Sequence, residues 1–208
     1  MSLFSRDGSK TRRIEGYLRK RARTKAPNRP ALDCTSWPTL AHKRAIVFTD
    51  TADFTVRTLR DGILHFLMSF DQVVKALRPM VRKHKGTVVK VEGDSLLLTF
   101  EDARAACTAV AALDAALHRF NRSRPEDERF RFSYGIGYGD VIEQEGDIFG
   151  LEVNMASKLG EDLAKPGEAL MTPAAAGALD RRTLRRVRPY RIVTFKKMAI
   201  PIQQLRLR

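Results

Sequence analysis

At 208 residues with 43% apolar side chains, the chain is long enough for one α/β domain with a substantial core and short extensions. No apolar run approaches the roughly 18 to 20 residues that span a bilayer, and Met1 to Ser9 has no signal-peptide core, so a cytoplasmic protein with at most peripheral membrane contact is expected. The net charge of +14 sits at the ends: residues 1–30 hold ten Lys/Arg against two acids, residues 181–208 hold ten and no acid, and acids outnumber bases between them. That distribution argues against a nucleic-acid groove through the fold, which needs its cations on the folded face.

In chain order, residues 1–40 read as a basic arm or linker and residues 41–208 as the folded domain. Ile14, Tyr17 and Leu18 among arginines suggest a helical turn or two, and Pro27, Pro30 and Pro38 are expected to stop any longer helix. The arm is therefore expected to be solvated and partly disordered. An anionic membrane, a partner helix or a nucleic-acid tether are its candidate contacts, and Trp37 is expected to pin it to the domain. Cys34 and Cys107 are far apart without a partner motif, which predicts reduced thiols.

Ala45 to Thr49 is a short apolar strand ending in Asp50, and the Asp50 to Thr55 loop leads into a helix predicted over about 58–83, whose apolar positions from Ile63 to Val81 recur at three and four. Val88 to Phe100 reads as two strands folded about Glu92-Gly93-Asp94-Ser95. A second helix is predicted over about 102–122, a strand over 130–139, a turn and a further strand at Asp140, and a third helix over about 151–163. A short strand at 168–171, a small helix from Pro173, and strands over about 184–195 and 202–207 complete the chain. The order β-α-β-β-α-β, with additions, is that of a ferredoxin-like α+β core. Two strand-end carboxylates, Asp50 and Asp94, form the kind of pair that clamps divalent cations against a polyphosphate; an ordinary Asp-containing turn is the competing reading of Asp94.

Five separated motifs, together spanning residue 44 to the end, resemble the class III nucleotidyl cyclase catalytic domain. They are Phe48-Thr49-Asp50-Thr51-Ala52-Asp53-Phe54-Thr55, Gly86 to Asp94, Gly135 to Val141, Asp147 to Lys158, and Phe195 to Ile202. The resemblance implies two Mg²⁺ or Mn²⁺ ions on Asp50, Asp94 and the Thr51 backbone carbonyl. It also implies substrate contacts from Thr51, Phe54, Lys90, Asp147 and the polyphosphate-binding Lys196, with Asn154 orienting the ribose and Lys158 at the transition-state position. In that family the metal groups of one copy face the base-reading groups of another, which implies a head-to-tail homodimer with shared sites. ATP to 3′,5′-cyclic AMP and pyrophosphate is the implied reaction, with a cyclase for GTP or a pyrimidine nucleotide, or a degenerate nucleotide-binding scaffold, as alternatives. Complementarity agrees with adenine, since an ammonium suits the N1 acceptor and a carboxylate the N6 amine, whereas guanine inverts both.

Two positions depart from the family pattern. Lys158 stands where arginine is usual and lacks the planar fork that grips two phosphate oxygens at once. Asp53 stands where glycine is usual, which predicts turn strain and places a third carboxylate near the triphosphate.

Overall fold

The computed structural model describes residues 8–195 and 198–207. The N-terminal segment is more ordered than its prolines suggested. Helix α1 (Gly8–Arg23) and helix α2 (Arg29–Leu40) form a hairpin. Pro30 sits in the first turn of α2, where its missing N–H costs nothing, and Pro38 falls in the last turn, so neither breaks the helix. Tyr17 and Arg21 of α1 both donate to Asp33 of α2, Arg21 at 2.8 and 3.0 Å. Ile14 is buried, and Trp37 donates a long 3.5 Å bond to Asp140, which fixes the hairpin to the sheet.

The core strands are β1 (His42–Thr51), β2 (Thr87–Glu92), β3 (Ser95–Phe100), β4 (Phe132–Gln144), β5 (Asp147–Phe149), β6 (Ala169–Met171), β7 (Val187–Phe195) and β8 (Met198–Leu205). They form one sheet in the order β2-β3-β1-β4-β6-β8-β7, with β5 added to β4 and only the β4–β6 pair parallel. The β2-β3-β1-β4 half is the ferredoxin-like α+β arrangement expected from the element order.

Both faces of the sheet are covered, which is why Ala45, Ile46 and Val47 are consecutive yet all buried. Ala45 and Val47 pack with Phe66, Phe70, Leu77 and Leu113, from helices α4 (Ile63–Lys83) and α5 (Ala103–Asn121). Ile46 and Phe48 point the other way, toward Val89, Leu97 and Val153 under helix α6 (Leu151–Lys158). Asp102 caps α5 through a 2.7 Å bond from Ala105 N–H. Burial on the core face of α5 pushes the Cys107 thiol up to about 12, so it stays protonated and inert.

Three boundaries differ from expectation. The helix predicted over 58–83 is two, α3 (Phe54–Asp61) and α4, broken at Gly62, whose φ of 84° suits glycine. The break turns Leu59 and Leu64 outward, at 82% and 80% exposure, and leaves Ile63 and Leu67 off the core face. No turn interrupts β4 at Asp140; the strand runs on to Gln144 because Val141 is fully buried. The third helix ends as α at Lys158 and continues as a wider π turn, Leu159–Leu163. Beyond β6, α7 (Pro173–Gly177) and α8 (Arg181–Leu184) lead into the β7–β8 pair.

Candidate active site

The strand register brings the two distant aspartates together. Thr49 pairs with Leu96, so Asp50 lies opposite Ser95 and Thr51 opposite Asp94. Ser95 Oγ donates a long 3.5 Å bond to Asp50 Oδ1, and the buried Thr51 hydroxyl donates to the Asp94 carbonyl at 2.6 Å. The Thr51 side chain thus ties the end of β1 to the β2–β3 tip.

Half-burial, then the nearby Asp94 charge, then Glu161 push the Asp50 carboxyl up to about 6. Burial raises Asp94 as well, with Glu161 adding to it. Neither aspartate has a Lys or Arg ion-pair partner among the described residues. Two half-buried carboxylates at neighbouring strand ends, with no cation paired to them, are hard-oxygen donors suited to Mg²⁺ or Mn²⁺, with water and phosphate oxygens left to fill the shell. The described residues contain no cluster of three or more His, Cys, Asp or Glu able to hold a metal.

Asp53 has φ 65°, so the predicted turn strain is present, at about 1 kcal/mol. Its carboxylate accepts from Arg131 at 2.8 Å, and Ala52 N–H bonds the Arg131 carbonyl at 2.9 Å. The third carboxylate is therefore engaged by a guanidinium. Phe54 is partly buried with its ring edge-on to Phe66, 4.8 Å between centroids, so its ring belongs to the core and only its main chain faces the loop.

Lys90 and Asp147 meet across β2 and β5, Nζ to Oδ2 3.0 Å. The other Asp147 oxygen accepts from Ile148 N–H at 2.9 Å, which fixes the carboxylate plane. Lys90 also contacts Glu92 Oε2 at 2.8 Å, and the hydrogen bonds to Glu92 and then Asp147 raise the lysine above its ordinary range. Lys90 pairs with Leu97, which faces α6, as does Phe48 beside it on β1. Asp50, two residues beyond Phe48, therefore lies on the same sheet face as Lys90, with β3 between them.

Asn154 and Lys158 are exposed on α6, and Lys158 is paired with Asp162 at 3.3 Å. The close approach of α6 to the sheet depends on glycine: a Cβ at Gly135 would stand 1.9 Å from the Ala156 carbonyl oxygen. Gly135→Ala is expected to displace α6 and cost about 3 kcal/mol, read as a lowered melting temperature together with lost turnover. An unchanged melt would show that the helix can shift without penalty. Lys196 lies outside the described residues.

Reading the sequence did not single out Glu92, Arg131 or Glu161. Glu92 had a local signal, since it is two residues from Lys90 on a strand and so shares its face. Arg131 and Glu161 had none, because a loop pairing and a π turn place them.

No protein-family model matches the chain. Over 123 residues it is 33% identical to a putative adenylate cyclase 3 of Rhizobium meliloti, a match covering 59% of this chain and 21% of that protein. The chain thus spans about a fifth of that relative. The fold is similar to a solved adenylate/guanylate cyclase/hydrolase from Silicibacter pomeroyi, with TM-score 0.66 and 24% identity, covering 80% of this chain and 97% of that one. It is equally similar to the adenylyl cyclase CyaB of P. aeruginosa, with TM-score 0.66 and 19% identity, covering 79% and 94%.

Proposed function

We propose that this chain, whose fold is that of the class III nucleotidyl cyclase catalytic domains, is an adenylate cyclase that forms 3′,5′-cyclic AMP and pyrophosphate from ATP at sites shared by two copies. The observation that carries the reading is the 3.0 Å contact of Lys90 with Asp147, which sets a fixed donor beside a fixed acceptor. Adenine presents the complementary edge. A purine presenting the inverse edge to the same two groups loses roughly 1 to 3 kcal/mol per mismatched group.

Asp50, Asp94 and the Thr51 carbonyl are the groups that hold the divalent ions. Such ions, held there, would supply the positive charge that lowers the pKa of the ribose 3′-hydroxyl and offsets the charge on the leaving pyrophosphate. The protein's own share is positioning and charge. Asn154 orients the ribose, Lys196 holds the polyphosphate, and Lys158 offers one positive charge to the transferring phosphoryl group. No side chain acts as nucleophile.

Several exposed apolar side chains support a second copy as partner. Phe149 and Leu151, which flank Gly150 just beyond Asp147, are 55% and 70% exposed, and Val56, Leu59 and Leu64 are exposed along α3 and the start of α4. The described residues contain no helix long and apolar enough to cross a membrane. The basic outer face of α1, with Arg12, Arg13, Arg19 and Lys20 exposed, suits a peripheral contact with anionic lipid.

The test is a turnover assay on ATP, GTP, CTP and UTP with Mn²⁺ or Mg²⁺ and identification of the products. Cyclic AMP as the main product supports the reading, and no turnover of any nucleotide at high protein concentration overturns it. In the same assay Lys158→Arg is expected to raise the rate about tenfold, because the planar fork holds two phosphate oxygens. An unchanged rate would mean that position 158 does not reach the phosphoryl group.

A further inference from the structure

The ammonium of Lys90 is held from two sides. Asp147 Oδ2 lies 3.0 Å from it and Glu92 Oε2 lies 2.8 Å from it. Lys90 and Glu92 share a strand face by alternation, and their partners Leu97 and Ser95 continue that face toward Asp50. Asp147 arrives from β5, its second oxygen already committed to Ile148 N–H. An ammonium has three donors, so with two taken by the flanking carboxylates one remains for a base. Joined through the ammonium, the three groups read acceptor, donor, acceptor in the order Glu92, Lys90, Asp147. Glu92 is 69% exposed at its side chain and has room to meet a ligand.

We propose that Glu92 is a third purine-reading residue, which gives guanine its own register on the same lysine. This rests on the reading of the site as a purine nucleotide cyclase. Adenine sets its N6 amine against Asp147 and its N1 acceptor against Lys90, leaving Glu92 beside the carbon-bound hydrogen at C2. Guanine in that pose would meet like against like. Moved along that order by one group, it sets O6 against Lys90, and its N1–H and 2-amino group against the two oxygens of Glu92. Each donor then has an acceptor, so guanine escapes the penalty of unmade hydrogen bonds. Lys90 serves both purines, and the carboxylate on one side or the other selects between them. Selectivity for ATP over GTP therefore falls near the low end of what the Lys90–Asp147 pair alone would give, about tenfold rather than a thousandfold.

The experiment measures kcat/KM for ATP and GTP with the full chain, Glu92→Ala and Glu92→Gln, beside equilibrium binding of fluorescent ATP and GTP analogues. Glu92→Ala is expected to lower kcat/KM for GTP at least about tenfold more than for ATP, mainly through KM, with Glu92→Gln intermediate because its amide keeps one acceptor oxygen. Equal losses on both nucleotides, or a larger loss on ATP, overturn the proposal and leave Glu92 as a group that steadies Lys90. If the unmodified chain turns over neither nucleotide, the cyclase reading falls, and the binding ratios decide the Glu92 proposal alone. A GTP-selective loss of analogue binding in Glu92→Ala upholds it, and an unselective loss or no binding at all overturns it.

Discussion

Replacing Asp50 with asparagine is expected to abolish turnover, by about a thousandfold or more, while making the metal-free protein more stable at pH 8. Both outcomes follow from the same geometry. The carboxylate is half-buried opposite Ser95, with Asp94 at the neighbouring strand tip and Glu161 near, and its pKa stands at about 6 against an ordinary value of 3.8. A carboxyl raised in the folded state binds its proton more tightly there than in the unfolded chain. Its contribution therefore favours the folded state below about pH 4 and is lost as pH climbs from about 4 to 6. Above that window the ionised Asp50 destabilises the metal-free fold, and asparagine, of the same shape and without charge, relieves it. Melting curves of the two proteins at pH 4 and pH 8, with chelator present, check the sign. A melting temperature for Asp50→Asn at pH 8 equal to or below that of the unmodified chain would show that these carboxylates do not repel. Retention of turnover would show that Asp50 does not hold an ion.

Mixing two inactive variants is expected to restore activity. Asp94→Ala removes a metal carboxylate and Lys90→Ala removes the central base-reading donor, so each homodimer has two broken sites. A head-to-tail heterodimer of the two carries both lesions in one site and neither in the other. Random pairing then returns about a quarter of the unmodified rate. The rate per chain of the unmodified protein should also climb with protein concentration as dimers form. Mixtures no more active than the separate variants, with heterodimer formation shown independently, would place the whole site within one chain. The two groups of residues already share a sheet face, with β3 between Asp50 and Lys90, so the result decides between a cleft closed by one copy and one closed by two.

The β2-β3-β1-β4 half of the sheet was legible because strand and helix periods, turn residues and element order are local. The apolar run at Ala45 to Val47, the Asp102 cap of α5 and the Gly93-Asp94 tip each carry their own signal. The α1–α2 hairpin was not legible. A proline seen alone argues against a helix, and only its position in the first or last turn makes it harmless. The break at Gly62 was hidden for the converse reason, since the apolar spacing runs through it while the backbone does not.

Residue type and strand position marked Asp50 and Asp94 as a cation-holding pair, whereas Lys90 and Asp147 were marked as base readers by the resemblance to the cyclase domains. Tertiary structure decided which of them meet. Asp50 and Asp94 become neighbours through the β1–β3 register, and the burial that shifts their protonation exists only once both sheet faces are covered. Lys90 gains Asp147 from a strand 57 residues away, and with Glu92 becomes the middle of three joined groups. Hydrogen-bond geometry and desolvation depend on distances between segments, and a linear pattern of residues specifies those only after the chain has folded.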